Sequence, residues 1–174
     1  GIIFREGHLE KGEKPVHWCQ ESGSSLAEAE VEYIDKISKA IDVAFQVDNS
    51  SLKKVKNLFN IQDQDEISFV IWTTTPWTIP ANKALAYNEA LNYVLIQLTD
   101  EGDFKNRKIV IAEALIDSVV KESSINDYKE IKKFKGRELK GTICHHPFFD
   151  LGYEFDIPML EARFVTTEQG TGIV

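Results

Sequence analysis

The apolar positions of this chain recur mostly at every second residue, the period of a half-buried β-strand. In "AIDVAFQV", Ile41, Val43, Phe45 and Val47 alternate with their neighbours, and "ISFVIW", "NYVLIQL" and "KIVIA" are short β-rich runs bounded by polar turns. In "LAEAEVEY", Ala27, Ala29, Val31 and Tyr33 alternate with Glu28, Glu30 and Glu32, which predicts a fifth strand with its carboxylates on one solvated face. Helical periodicity is scarcer. Leu52, Val55, Leu58 and Phe59 share a face after the candidate caps Ser50 and Ser51, and Leu115, Val119 and Val120 predict a helix near 112–122. A third short helix is expected around Pro80. "TDEGDFKNRK" reads as a hairpin turn and "NIQDQDE" as a polar connection. The expected fold is α+β, a β-rich sheet or barrel core with a few peripheral helices.

Composition narrows the class. A chain of 174 residues, 43% apolar and 28% charged, suits a single globular domain over 1–174 and is long enough to bury a core. No apolar run approaches the ~20 residues that cross a bilayer, and "GIIFREGHLE" lacks a signal peptide's basic start and apolar middle. The expectation is a soluble, cytoplasmic domain without a membrane partner. Two cysteines, Cys19 and Cys144, are too few for a disulfide scaffold. A net charge of −8 disfavours binding along a nucleic-acid backbone, so any such contact should be local.

The stretch "IWTTTPWTIPAN" over residues 71–82 carries the candidate chemistry. Proline constrains the residue before it, so Pro76 and Pro80 are expected to hold Thr75 and Ile79 extended and to stop the buried strand. Three threonine hydroxyls at the strand mouth offer rotatable donors and acceptors, Trp77 offers a flat apolar wall, and Asn82 adds an amide. Threonine is also a good strand residue and tryptophan a common core residue, so the pattern alone leaves a pocket and a plain sheet-plus-turn equally open.

Other clusters read more simply. His17 and Cys19 near one end, and Cys144, His145 and His146 near the other, are zinc-ligand types, but neither cluster has paired C-x-x-C spacing. Buried thiols and hydrogen-bonded histidines are the reading, with no metal site. His8 sits in a polar turn. Asp150, Glu154 and Asp156 lie among glycine, tyrosine and proline, which fits a solvated hairpin rather than paired catalytic acids.

"WTTTPWTIPAN" resembles the threonine-rich signature of the editing domain inserted in class I aminoacyl-tRNA synthetases for isoleucine, valine and leucine. The flanks favour the isoleucyl branch: "KGEKPVHWCQESGSSLAEAEVEY" resembles its approach to this domain, "HPFFDLGYEFDIP" its later strand region and "VTTEQGTGIV" its closing glycine loop. Within "WCQES", Ser22 stands where relatives often show a second cysteine. The resemblance implies proofreading: hydrolysis of valyl-tRNA made in error by an isoleucine enzyme, and of valyl-adenylate, with isoleucine excluded by size. A synthetic pocket discriminates one methylene by only about 1–3 kcal/mol, a value for which these isoleucyl enzymes are themselves the standard example, so a second sieve is needed.

The same resemblance implies site roles. Thr74 and Thr75 would act at the scissile carbonyl and the attacking water, with Thr73, Trp77, Asn82, Thr171 and Gly172 binding substrate. A threonine hydroxyl is a poor general base, so positioning and hydrogen bonding are expected, assisted by the substrate's ribose hydroxyl. The implied partners are the 3′ acceptor end of the tRNA, the valine or isoleucine aminoacyl moiety and the remainder of the synthetase. No cofactor is implied for this domain; ATP and Mg²⁺ belong to the full synthetase. The basic run "KEIKKFKGRELK" fits a solvated strand face better than a contact with the acceptor end.

The family pattern continues past its glycine loop to a histidine and then an aspartate expected to grip the substrate's ammonium, whereas this chain ends at Val174. The expectation is a piece of a longer synthetase with part of the pocket and weakened hydrolysis. Gly170, Thr171 and Gly172 then read as a turn rather than a phosphate cradle. The alternative is a binding module that holds aminoacyl-adenosine without cleaving it. A weaker one is a carbohydrate binder using Trp72 and Trp77 as platforms.

Overall fold

Alternation makes a strand only where a second strand takes up its backbone groups, and that condition sorts the predicted elements. A computed structural model describes residues 1–61 and 66–174, in two compact units, Gly1–Ile37 and Ser38–Val174. The first unit holds a short helix α1 (Ile2–Arg5) and a minimal hairpin of β1 (Trp18–Cys19) and β2 (Ser24–Ser25), pairing Trp18 with Ser25 and Cys19 with Ser24. The expected strand in "LAEAEVEY" is not formed. Its middle is a 3₁₀ turn, Glu28–Glu30, in which Glu30 N–H donates to the Ala27 carbonyl at 2.9 Å and Ala27 N–H donates to Glu30 Oε2 at 2.7 Å. The backbone groups a strand would have offered to a neighbour are used locally.

The second unit is organised by β3 (Ile41–Gln46), β4 (Ile67–Thr73), β5 (Leu85–Tyr87), β6 (Asn92–Leu98), β7 (Lys108–Ala112), β8 (Tyr128–Lys135), β9 (Ile143–His145) and β10 (Asp156–Glu161). Five of them form a sheet in the order β3-β4-β7-β6-β8, antiparallel except for the β4–β7 pair. The hairpin expected between "NYVLIQL" and "KIVIA" is the β6–β7 connection. A three-stranded sheet, β5-β10-β9, joins the larger one through an antiparallel bridge between Val47 and Cys144 and a 3.0 Å bond from Asp48 N–H to the Ile143 carbonyl. The α+β expectation, sheet-rich with few helices, holds.

Burial explains the order. Every residue of β7 is buried, as are Tyr93 to Ile96 of β6, so the middle of the sheet is covered on both faces and, after Lys108, reads as a continuous apolar run. Helix α2 (Asn49–Phe59) buries Val55 and Phe59, with the Phe59 ring edge-on to Phe134 of β8 at 5.0 Å. Its cap is Asp48, whose carboxylate accepts from Ser50 N–H at 2.7 Å, rather than Ser50 or Ser51. Ser51 is buried instead, and its hydroxyl accepts from Ile143 N–H of β9 at 2.9 Å. Helix α3 (Ile116–Glu122) follows a 3₁₀ turn over Glu113–Leu115, within the predicted 112–122. Most of the "NIQDQDE" connection, residues 62–65, lies outside the described residues. Among the described residues no helix is long and apolar enough to cross a membrane.

Candidate functional site

The cleft arises where two parallel strands part. β4 and β7 pair only from Ile67↔Lys108 to Phe69↔Val110, while β4 remains paired with β3 as far as Ile41↔Thr73. The last residues of β4 therefore lose their β7 neighbour just where the sequence turns to tryptophan and threonine. At the end of β7, Ala112 N–H donates to the Thr171 carbonyl at 2.8 Å, so the segment 164–174 takes the place that β4 has left. Trp72, Thr73 and Thr74 form one wall, and Phe164 to Thr166 with Gln169 to Val174 form the other, around about 310 Å³. An opening beyond the carboxyl ends of diverging parallel strands is a common place for a ligand.

The glycine loop is shaped by close approach. Gly170 (φ +75°) lies over Trp72, whose Cβ would be 3.4 Å from any added Cβ. Gly172 (φ +76°) lies against Ala112, where an added Cβ would come within 2.3 Å of the alanine Cβ. Between them Thr171 is only 1% exposed, with its hydroxyl bonded to the Ile173 backbone, donating to the carbonyl at 3.2 Å. The resulting lining is hydroxyl, amide, backbone and apolar surface; it carries no ionisable side chain among the described residues. Such a surface can position and exclude, but it has no group poised to titrate near neutral pH.

The threonine run is internally bonded. Thr73 Oγ1 accepts from Thr75 N–H at 3.1 Å and lies 3.2 Å from Thr75 Oγ1, while the Thr75 carbonyl accepts from Thr78 N–H at 3.0 Å and from Thr78 Oγ1 at 2.7 Å. Thr74 is exposed, and its carbonyl accepts from Ser38 Oγ at 3.2 Å. The buried strand stops before Pro76, as expected, but the residues that precede the prolines are not extended. A 3₁₀ segment runs over Pro76–Ala81, beginning four residues before the predicted helix start, and Ile79 lies inside it rather than extended. Thr75, at φ −124° and ψ 65°, is short of a strand conformation. The cause is burial: Ile79 is 4% exposed, and its carbonyl accepts from Asn82 N–H and from His146 Nε2, both at 2.9 Å.

The structure thus brings Thr73, Thr74, Thr171 and Gly172 to one cleft. Thr75 is exposed and outside the lining. Trp77 is 69% exposed and outside the lining, and Asn82 donates its amide to the Ala84 carbonyl at 3.1 Å. Trp72 is the indole that walls the cleft, so it and Trp77 stand apart as far as the cleft is concerned. Phe164, Val165, Thr166 and Gln169 are not among the site residues expected from the sequence, which marks this segment only by its likeness to the family's closing glycine loop.

The other clusters serve packing. His146 is buried; its Nδ1 accepts from Phe148 N–H at 3.1 Å, which leaves the proton on Nε2 to donate to Ile79. Its ring stacks on Tyr153 at 4.8 Å and meets Phe155 at 5.3 Å. Cys144 is fully buried, and burial, with a smaller effect of Asp48, pushes its thiol up to about 12. His145 Nε2 lies 3.2 Å from Asp48 Oδ2. Asp150, Glu154 and Asp156 are exposed around a left-handed turn at Gly152, as solvated hairpin residues would be. Strand β8, the basic run, is a sheet edge with exposed lysines, an arrangement that discourages edge-to-edge pairing.

Residues 1–167 match the family described as tRNA synthetases class I (I, L, M and V). Over 174 residues the chain is 60% identical to the isoleucine–tRNA ligase of Pelagibacter ubique, covering all of this chain and 18% of that protein. It is 44% identical over 173 residues to that of Shewanella sediminis, again covering 18% of the relative. The chain therefore spans less than a fifth of the length of these curated relatives. Among solved structures, GlLeuRS-CP1 superposes with a TM-score of 0.60 at 17% identity, over 78% of this chain and 53% of that one. The cytosolic leucyl-tRNA synthetase editing domain of P. knowlesi gives 0.59 at 15% identity, over 83% and 60%. At these identities the likeness is one of fold.

Proposed function

Since the chain belongs to the class I tRNA synthetases, we propose that its cleft is a proofreading site that hydrolyses valine esterified to a tRNA meant for isoleucine, and valyl-adenylate with it. The observation that carries this reading is the convergence of Thr73 and Thr74 with the Gly170–Gly172 loop around about 310 Å³ of mixed polar and apolar space. Such a volume suits a small aliphatic side chain and part of a ribose, and a rigid wall rejects one methylene more.

An aminoacyl ester is already activated, so little chemistry is required of the protein. Water attacks the ester carbonyl carbon, the carbon–oxygen bond to the ribose breaks, and the water's proton passes to the departing ribose oxygen, with the neighbouring ribose hydroxyl as the nearest relay. Thr73 and Thr74 hydroxyls orient the water and carbonyl, and backbone N–H groups of the glycine loop offer hydrogen bonds to the tetrahedral oxyanion. The partners of this reading are the acceptor end of the tRNA and the rest of the synthetase; the domain itself needs no cofactor.

The test is deacylation of valyl-tRNA and isoleucyl-tRNA by the complete protein that carries this chain. Selective loss of the valyl ester, reduced about tenfold or more by Thr74→Ala, is the expected result. Failure to hydrolyse valyl-tRNA overturns the reading.

A further inference from the structure

The far wall of the cleft is not a free loop: it is tied to the buried middle of the sheet. Tyr93 of β6 is fully buried, and its hydroxyl donates to the Gly172 carbonyl at 2.9 Å. The same oxygen accepts from Asn88 N–H at 3.1 Å. Asn88 in turn donates from Nδ2 to the Val165 carbonyl at 3.0 Å, while its Oδ1 accepts from Ala90 N–H at 3.0 Å. Gly172 and Val165 both line the cleft, so one tyrosine and one asparagine hold the far wall at two points seven residues apart. Burying a phenol is costly unless its hydroxyl is bonded, and phenylalanine would fill the same space without that demand.

The clamp is itself fixed. Gly136, after β8, is packed so tightly that an added Cβ would lie 2.1 Å from the Asn88 carbonyl oxygen and 2.9 Å from the Tyr93 ring. The Tyr93 ring stacks with Phe134 at 6.1 Å. On the other side Gly172 abuts Ala112. The near wall, Trp72 and Thr73, belongs to β4 of the same sheet. Both walls are therefore referred to one sheet: backbone bonds from Ala112 N–H to the Thr171 carbonyl and between Ala86 and Val174 hold the far segment, and the buried Tyr93 and half-buried Asn88 are the side chains outside the lining that fix it at Gly172 and Val165.

Resting on the proofreading reading above, we propose that Tyr93 and Asn88 are positioning residues that set the width of the cleft and so determine how large an acyl group is hydrolysed. Loss of the tyrosine hydroxyl lets the Gly172 carbonyl move outward between the backbone bonds that remain at Thr171 and Val174, which admits a longer aliphatic side chain. A merely structural role would reduce hydrolysis of all esters in proportion; a width-setting role changes the ratio between them.

The experiment compares the complete protein with its Tyr93→Phe and Asn88→Asp variants, measuring kcat and KM for deacylation of valyl-tRNA and isoleucyl-tRNA alongside a thermal melt. Phenylalanine keeps the ring packing and removes the donor. Aspartate keeps the Oδ1 acceptor and replaces the Nδ2 donor facing Val165 with an oxygen. The expected result is a valyl-to-isoleucyl ratio of kcat/KM lowered by about three- to tenfold in both variants, the scale of one hydrogen bond, with cooperative melting retained. An unchanged ratio in a folded variant, or a proportional fall for both esters, overturns the proposal. If Tyr93→Phe does not fold, the Asn88→Asp ratio decides. If the unaltered protein cleaves neither ester, the proofreading reading fails first and the proposal falls with it.

Discussion

Gly172 sits against Ala112 so closely that a methyl group on the glycine would reach to 2.3 Å of the alanine Cβ, in a backbone conformation, φ +76°, that L-residues disfavour. Strain and overlap add here, since the alanine is fixed in β7 by its pairing with Tyr93 of β6 and its N–H bond to the Thr171 carbonyl keeps the loop against it. Gly172→Ala should therefore destabilise the second unit by about 2–4 kcal/mol. Urea unfolding followed by tryptophan fluorescence checks it, and a loss below about 0.5 kcal/mol would mean that the loop relaxes freely.

The 3₁₀ segment that follows the near wall has an anchor in His146, which donates to the Ile79 carbonyl and accepts from Phe148 N–H. His146→Phe preserves the stacking against Tyr153 but leaves Phe148 N–H without its acceptor. Ile79 keeps one bond, from Asn82 N–H. The expected cost is about 1–3 kcal/mol, measured by chemical denaturation. If the 3₁₀ segment shifts with it, deacylation should fall while the melt remains cooperative.

Much of this arrangement could be read from the chain because its strands are buried on one or both faces. β3, β4, β6 and β7 all coincide with apolar runs, and α2 with its apolar face. The failures share one cause. In "LAEAEVEY" the alternation was real but no strand among the described residues pairs with it, and Glu30 turned back on Ala27. Around Pro80 local preference yielded to the buried contact between Ile79 and His146, 67 residues apart in sequence. At the cleft, the threonines and the glycine loop were legible as motifs. Phe164 and the Tyr93–Gly172 bond were not, since a strand tyrosine gives no sign of which distant carbonyl it meets.

The two cysteines should differ sharply in reactivity. Hydrogen bonding from Ser22 lowers the Cys19 thiol from its usual value, whereas burial pushes Cys144 up to about 12. Alkylation follows the thiolate and its access. Iodoacetamide near neutral pH should therefore label Cys19 in the native protein and leave Cys144 unmodified until urea is added, as read by peptide mass spectrometry. Native labelling of Cys144 at a comparable rate would show that β9 opens readily.

Asp48 links α2 to pH. Hydrogen bonding by Ser50, with smaller help from the Asn49 amide and the charge of His145, holds its carboxyl below the ordinary carboxylate value against the opposing effect of burial. A carboxyl depressed on folding contributes stability that is present above its unfolded value, about 3.9, and is lost as pH falls through the lower folded value. Asp48→Ala should thus cost about 1 kcal/mol at neutral pH, the usual worth of such a cap. That deficit should shrink as the solution is acidified past the unfolded value, because the native protein then loses the same carboxylate. Asp48→Asn keeps an oxygen for Ser50 N–H and should retain most of the stability at neutral pH while losing this group's acid-side slope. Urea midpoints for the three proteins across that range provide the measurement; an alanine deficit that stays constant with pH would assign the cap's effect to something other than the ionised carboxylate.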